Sequence, residues 1–167
     1  MDAFLAVVSK REVREYDDRP LAPDSIRRIL EAGRLAGSSR NRQQRRFVVL
    51  RDRAAVAETV FMPANVHGAA LVVAIVTAGK GQAGLDAGRA AQNMMLAAHN
   101  EGIGSCPNGI SDAEAIAGLV GLGEGESVAL ILGFGYPVRP RDPERRSAEE
   151  WIERADRKPF DEVVSER

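Results

Sequence analysis

The chain has 167 residues, enough for one domain with a sizeable core, and its 44% hydrophobic and 28% charged residues are those of an ordinary soluble globular protein. A net charge of −1, from 23 basic and 24 acidic residues, provides no global field for nucleic acid, and the single cysteine, Cys106, excludes an intrachain disulfide and suits a reducing cytosol. The longest apolar stretch, Ala69 to Thr77, is too short to cross a bilayer, and no charged segment followed by an apolar run opens the chain, so we expect a cytoplasmic protein with neither membrane nor nucleic-acid partner.

Residues 2–9 form a short amphipathic turn with Phe4, Leu5, Val7 and Val8 apolar. Pro23-Asp24 opens a helix in which Ile26, Ile29, Leu30 and Gly33 recur at helical spacing while Arg27, Arg28 and Glu31 stay outside. Phe47 to Leu50 reads as a short buried strand. Ala70 to Val76 reads as a stronger one, apolar on both faces as a central strand is. Leu85 to Glu101 is the longest helix, with Ala87, Ala91, Met94, Met95 and Ala98 inward. Gly102 to Gly109 reads as a loop or broken strand. Ser111-Asp112-Ala113-Glu114 is a capping box that starts a helix through Val120, and Ser127 to Phe134 is a third core strand. A second capping box, Ser147-Ala148-Glu149-Glu150, starts a helix carrying Trp151 and Ile152. The pattern predicts an α+β or α/β fold, three layers around a small sheet, in a single domain over residues 1–167. Residues 137–167 form a C-terminal arm, which is costly in entropy unless it packs, for example by wrapping a partner subunit.

Three polar stretches stand out. Lys10, Arg11 and Arg14 are spaced so that two of them can converge on one anion, or else form a solvated basic face. Ser38, Ser39, Asn41 and Gln43 lie between a helix and a strand, and the amides offer the donors and acceptors that a planar, polar-edged ligand needs; a plain polar loop reads the same way. Arg157-Lys158 makes a third basic patch near the end. Basic residues concentrated locally in a near-neutral chain suit a small anionic ligand such as flavin mononucleotide.

Other motifs compete. Gly79-Lys80-Gly81-Gln82-Ala83-Gly84 matches a dinucleotide fingerprint between a strand and a helix, the best rival site. It lacks the following β-branched strand ending in an acid, and it sits mid-chain. We read it as a strand-to-helix connection. His67, His99 and Cys106 are not at metal-ligand spacing, so no metal is expected, and no Ser, His and Asp arrangement stands out.

Four segments in order carry a resemblance: Lys10-Arg11-Glu12-Val13-Arg14; Ala36-Gly37-Ser38-Ser39-Arg40-Asn41-Arg42-Gln43-Gln44-Arg45-Arg46-Phe47; Gly102-Ile103-Gly104-Ser105-Cys106-Pro107-Asn108-Gly109-Ile110; and Arg157-Lys158-Pro159-Phe160-Asp161-Glu162. Together they resemble the FMN-dependent nitroreductase family, as a short member. The resemblance implies a three-layer α/β/α sandwich with a small, mostly antiparallel central sheet, in a homodimer whose C-terminal arms embrace the partner and whose flavin lies at the interface. Lys10, Arg11 and Arg14 would hold the FMN phosphate and the ring O2/N1 edge, joined at the phosphate by Arg157 and Lys158. Ser38, Ser39, Asn41 and Gln43 would reach the ribityl chain and ring from the partner subunit. The backbone of Pro107, Asn108, Gly109 and Ile110 would lie against the ring with an N–H near N5.

The implied activity is hydride transfer from NAD(P)H to the flavin and on to a nitroaromatic, quinone or related acceptor by ping-pong exchange, with no residue obliged to act as acid or base. The chain departs from the family pattern at Glu12, Gly37, Gln44 and Arg45, where the family carries Ser, Pro, Pro and Trp. Those changes remove rigidity and an aromatic wall and predict an open site, with Arg42, Arg45 and Arg46 adding positive charge nearby. Two alternatives remain open at this point. One is a Rossmann-type NAD-binding enzyme using Gly79–Gly84; the other is a flavin-binding or sensing module with altered catalysis. A deazaflavin in place of FMN is a variant of the first reading.

Overall fold

The structure, a computed structural model, describes residues 1–79 and 82–167; Lys80 and Gly81 of the rival glycine motif lie outside the described residues. In chain order the elements are α1 (Ala3–Ser9), α2 (Pro23–Arg34), β1 (Arg45–Leu50), α3 (Arg53–Ala57), α4 (Ala64–His67) and β2 (Leu71–Ala78). Then follow α5 (Ala83–Asn100), β3 (Gly104–Asn108), α6 (Ala113–Val120), β4 (Glu126–Gly135), α7 (Ala148–Glu153) and α8 (Phe160–Val163), with single 3-10 turns at Ser39–Asn41 and Pro143–Arg145. The chain divides into two compact units, one of residues 11–140 and one of residues 1–10 with 141–167.

In the larger unit the four strands form one sheet in the order β1-β2-β4-β3, every neighbouring pair antiparallel. β2 and β4 are central because they can be: Leu71 to Thr77 are all buried, and so are Ile131 to Gly135. Alternation along β2 sends Val73 and Ile75 to a core with Ile29 of α2, Met94 of α5, Leu132 and Phe134, while Val72, Ala74 and Val76 join Val56, Ile116 and Ile131 on the opposite face. Helices therefore cover both faces, α2 and α5 on one, α3, α4 and α6 on the other. This is the three-layer α+β fold the sequence predicts. Glu101, at the end of α5, accepts from the Ser25 hydroxyl and pairs with Arg28, which ties α5 to α2; the Ser25 hydrogen bond, helped by Arg28, lowers the carboxyl below its ordinary value.

Three local expectations change, and two short helices are added. The segment after α5 is a strand, β3, three of whose first four residues are buried despite its glycine and proline. β1 is an edge strand with Val49 44% exposed, so it is only half-buried. The α6 cap is Asp112, not Ser111: its carboxylate accepts from the Glu114 and Ala115 N–H groups, and no capping box forms. The short helices α3 and α4 lie in a stretch whose apolar spacing is too brief to announce them.

β3 also disposes of the dinucleotide reading. β2 and β3 both run antiparallel to β4, which lies between them, so the β2–α5–β3 crossover joins two parallel strands that are not neighbours. The adjacent parallel pair that a Rossmann site needs is absent among the described residues.

In the smaller unit the second expected capping box is present at Ser147 and Glu150, and it opens α7. Trp151 is buried and donates its Nε1–H to the Pro143 carbonyl at 2.8 Å, with the Arg146 guanidinium over its ring.

Candidate functional site

The loop entering β1 is the most strained part of the larger unit. Arg40, Asn41 and Gln43 adopt φ of 52°, 53° and 54°, left-handed values that cost a side-chain-bearing residue roughly 1–3 kcal/mol each. The loop is held from inside. Asp86 on the first turn of α5, 9% exposed, accepts from the Ser39 N–H at 3.2 Å, and the Ser38 hydroxyl accepts from the Gln43 N–H at 2.9 Å. Ser39, Asn41 and Gln43 are exposed, the Gln43 amide donating to the Asn41 carbonyl at 3.4 Å, while Ser38 is half-buried and turned to its own loop.

The basic segment before Asp17 is clamped to the sheet by two glycines. The Val13 N–H donates to the Ser105 carbonyl at 3.0 Å, and a Cβ on Gly104 would stand 2.6 Å from the Val13 Cβ. A Cβ on Gly135 would stand 2.8 Å from the Tyr16 ring. The Tyr16 hydroxyl donates to the Val13 carbonyl at 2.7 Å and lies 3.2 Å from the Gly133 carbonyl; burial pushes its ionisation above the ordinary phenol range. With Val13 and Tyr16 anchored, Glu12 and Arg14 alternate outward and are exposed, and Arg11 is half-buried.

The third segment runs off the end of β3. Pro107 and Gly109 are exposed, Asn108 is buried and Ile110 is half-buried, the alternation of an extended chain with one face open. A second short ladder supports it from residues 59–61. The Phe61 N–H donates to the Gly109 carbonyl at 3.2 Å, Val60 bridges Ile110, and the Ser111 N–H donates to the Thr59 carbonyl at 2.8 Å. The Gly109 N–H has no hydrogen-bond partner among the described residues, so it is left able to donate to a ligand. Beside it Phe61 is 71% exposed.

Lys10, Arg157 and Lys158 belong to the smaller unit; Lys10 closes α1, and Arg157 donates locally to the Ala155 carbonyl at 2.9 Å. The positive charge expected from Arg42, Arg45 and Arg46 is largely committed elsewhere. Arg46 forms a two-pronged pair with Glu126 at 2.9 and 2.6 Å, and that pair brings the Glu126 carboxyl down to about 2. Arg45 donates to the Ala36 carbonyl and lies 3.5 Å from the Arg34 carbonyl, closing the C-terminal end of α2. Arg42 alone of the three is exposed.

The Nitroreductase family profile matches residues 7–80 and 64–136, most of the chain. A protein of Archaeoglobus fulgidus named "Putative NADH dehydrogenase/NAD(P)H nitroreductase" is 30% identical over an alignment covering 87% of this chain and 96% of that protein. The chain belongs to the nitroreductase family. Solved structures agree on the fold. A nitroreductase family protein from Clostridium difficile superposes with a TM-score of 0.83 at 22% identity over 99% of this chain and 98% of that one. A structure from Desulfovibrio desulfuricans in complex with FMN is 25% identical, with a TM-score of 0.77 over 100% of this chain and 98% of that one.

Three supporting residues of this family member escaped the sequence reading. Asp86 had a signal: it shares a helical stripe with the buried Ala90 and Met94, where an acid needs a partner. Tyr16 stands two residues past the basic motif, and nothing there distinguishes an anchor from an exposed ring. Asn65, on α4, had no signal at all.

Proposed function

We propose that the chain is an FMN-dependent NAD(P)H oxidoreductase working as a homodimer. The observation that carries this reading is the exposed loop at 38–43, where three side-chain-bearing residues stand left-handed in a backbone tied by Asp86 and Ser38. Strain maintained that way suits a ligand clamp.

The residues fit the cofactor. Ser39, Asn41 and Gln43 present hydroxyl and amide groups for a ribityl chain and a pyrimidine edge. Arg14, held in place through Val13 and Tyr16, offers an exposed guanidinium for an anionic edge or phosphate, and Arg11 stands three residues before it. Pro107 and Gly109 offer an exposed stretch of backbone with one unbonded N–H. For Lys10, Arg157 and Lys158 the assignment to the phosphate rests on the resemblance alone. FMN, when bound, supplies two-electron hydride chemistry between NAD(P)H and an acceptor. The chain's own part is to orient the ring, to offset negative charge near its O2/N1 edge through Arg14, and to leave one face open.

Sheet geometry supports two copies. The 38–43 loop precedes β1 at one edge, and residues 107–110 leave β3 at the other, separated across the sheet by three strand spacings, roughly 14 Å, with a further offset along the strands. One ring touched by both is more easily served by the loop of one protomer and the strand end of its partner.

A visible spectrum of the purified protein supplied with FMN, followed by anaerobic NADH or NADPH, tests the reading. A bound flavin band that bleaches identifies the oxidoreductase and its donor. A bound band that both donors leave unchanged points to the sensing module, and no uptake overturns the cofactor assignment.

A further inference from the structure

A buried amide pair lies directly behind the 107–110 segment. Asn65 of α4 is 5% exposed and Asn108 at the end of β3 is 4% exposed. The Asn108 Nδ2 reaches the Cys106 carbonyl at 3.1 Å and the Ile131 carbonyl at 3.5 Å. Carbonyls only accept, so the amide orientation of Asn108 is fixed and its Oδ1 must point the other way. That oxygen accepts from the Asn65 Nδ2 at 3.0 Å, which fixes Asn65 in turn. The order of the pair is therefore dictated from the backbone outward.

The peptide that follows Asn108 carries the Gly109 N–H, the donor left without a partner. Its plane is constrained on one side by the β4 register, where Asn108 stands opposite Ile131, and on the other by the ladder with residues 59–61. Between these two backbone constraints, Asn108 is the side chain at the junction, and Asn65 is the side chain from another element that donates to it. Removing that donor leaves a buried Oδ1 without a partner, a cost that favours a shift of Asn108 together with the peptide it shares with Gly109.

We propose that Asn65 is a positioning residue: through Asn108 it sets the plane of the 108–109 peptide and aims the Gly109 N–H at the ring nitrogen that accepts in oxidised flavin. This rests on the FMN reading above. The acceptor character of that nitrogen exists only before reduction, since the reduced ring carries hydrogen there. An aimed donor therefore favours the oxidised form, and losing the aim weakens oxidised binding selectively.

The test is the affinity of the full-length protein for oxidised and for anaerobically reduced FMN, in wild type and in Asn65→Leu, which keeps the side-chain size and removes the donor. The expected result is roughly tenfold weaker binding of oxidised FMN with reduced binding within about twofold, equivalent to a midpoint potential raised by about 30 mV for a two-electron couple. Equal losses for both forms, or no loss in either, overturn the proposal while leaving the FMN assignment standing. A wild type that binds neither form overturns the FMN assignment and the proposal with it. Should Asn65→Leu fail to fold, Asn65→Asp, which places an acceptor against the Asn108 oxygen, carries the same expectation and the same contradicting results.

Discussion

The loop at 38–43 and the strand end at 107–112 flank opposite edges of one sheet and hold their shapes by opposite means. The first is strained: three left-handed side-chain-bearing residues are kept in place by one buried carboxylate and one hydroxyl. The second is relaxed, an extended chain fixed by backbone ladders on both sides and by an amide pair beneath. A strained clamp presents side chains, and a relaxed ledge presents backbone. The contrast teaches that the loop can be loosened by removing one support, whereas the ledge keeps its course unless the sheet around it is disturbed, and losing the amide beneath it changes only the tilt of one peptide.

The largest effect is expected where the sheet itself is touched. Gly104→Ala drives a methyl to 2.6 Å from the Val13 Cβ, so the basic segment must lift from β3 or the strand must shift. Overpacking of that kind costs about 1–3 kcal/mol, read as a lowered denaturation midpoint, and FMN affinity should fall with it. Asp86→Ala acts on the loop instead. It removes the acceptor of the Ser39 N–H, and we expect roughly tenfold weaker FMN binding, about 1.4 kcal/mol, from a titration at nearly unchanged sheet stability. If stability and affinity fell together in Asp86→Ala as well, the distinction between clamp and ledge would fail.

Tyr16→Phe deletes a hydroxyl that donates to a backbone carbonyl at 2.7 Å while keeping the ring against Gly135, and about 1 kcal/mol of stability should be lost in urea unfolding. The smallest effect belongs to Glu126. Its carboxyl is lowered from 4.5 to about 2, chiefly by the hydrogen bond from Arg46, so its contribution is present above about pH 4.5 and is lost as the pH falls toward 2. Between those values wild type should lose stability more steeply than Glu126→Gln in acid-titrated melts; parallel curves would mean the pair contributes nothing.

The sequence carried the layers well because burial on both faces is written into runs such as Leu71 to Val76, and helical spacing into Ile26, Ile29, Leu30 and Gly33. β3 was less legible. Its Gly104 is there for close approach to Val13 and its Pro107 for an edge, and both residues read locally as loop signals. The candidate loop was recognisable by its residue types, yet its left-handed backbone was not, since Arg40 and Gln43 are poor predictors of positive φ. Asn65 was illegible for a deeper reason: it lies 43 residues from its partner Asn108, and only the folded chain brings the two amides together. Arg45 and Arg46 looked like ligand charges, but they close a helix end and pair with Glu126, contacts that periodicity does not encode.

The central claim is that one flavin site takes its loop from one protomer and its ledge from the other, and subunit mixing tests it most directly. Ser39→Pro removes the N–H that Asp86 holds, and Gly109→Leu blocks the open face beside Phe61; each alone should abolish FMN uptake. Unfolded together and refolded in equal amounts, the two variants form mixed dimers in which one site carries both lesions and the other carries neither. Bound FMN should then return to about a quarter of the wild-type amount, half of the dimers having one intact site of two. No recovery in mixed dimers that have demonstrably formed would place the loop and the ledge of each site on the same chain and contradict the account.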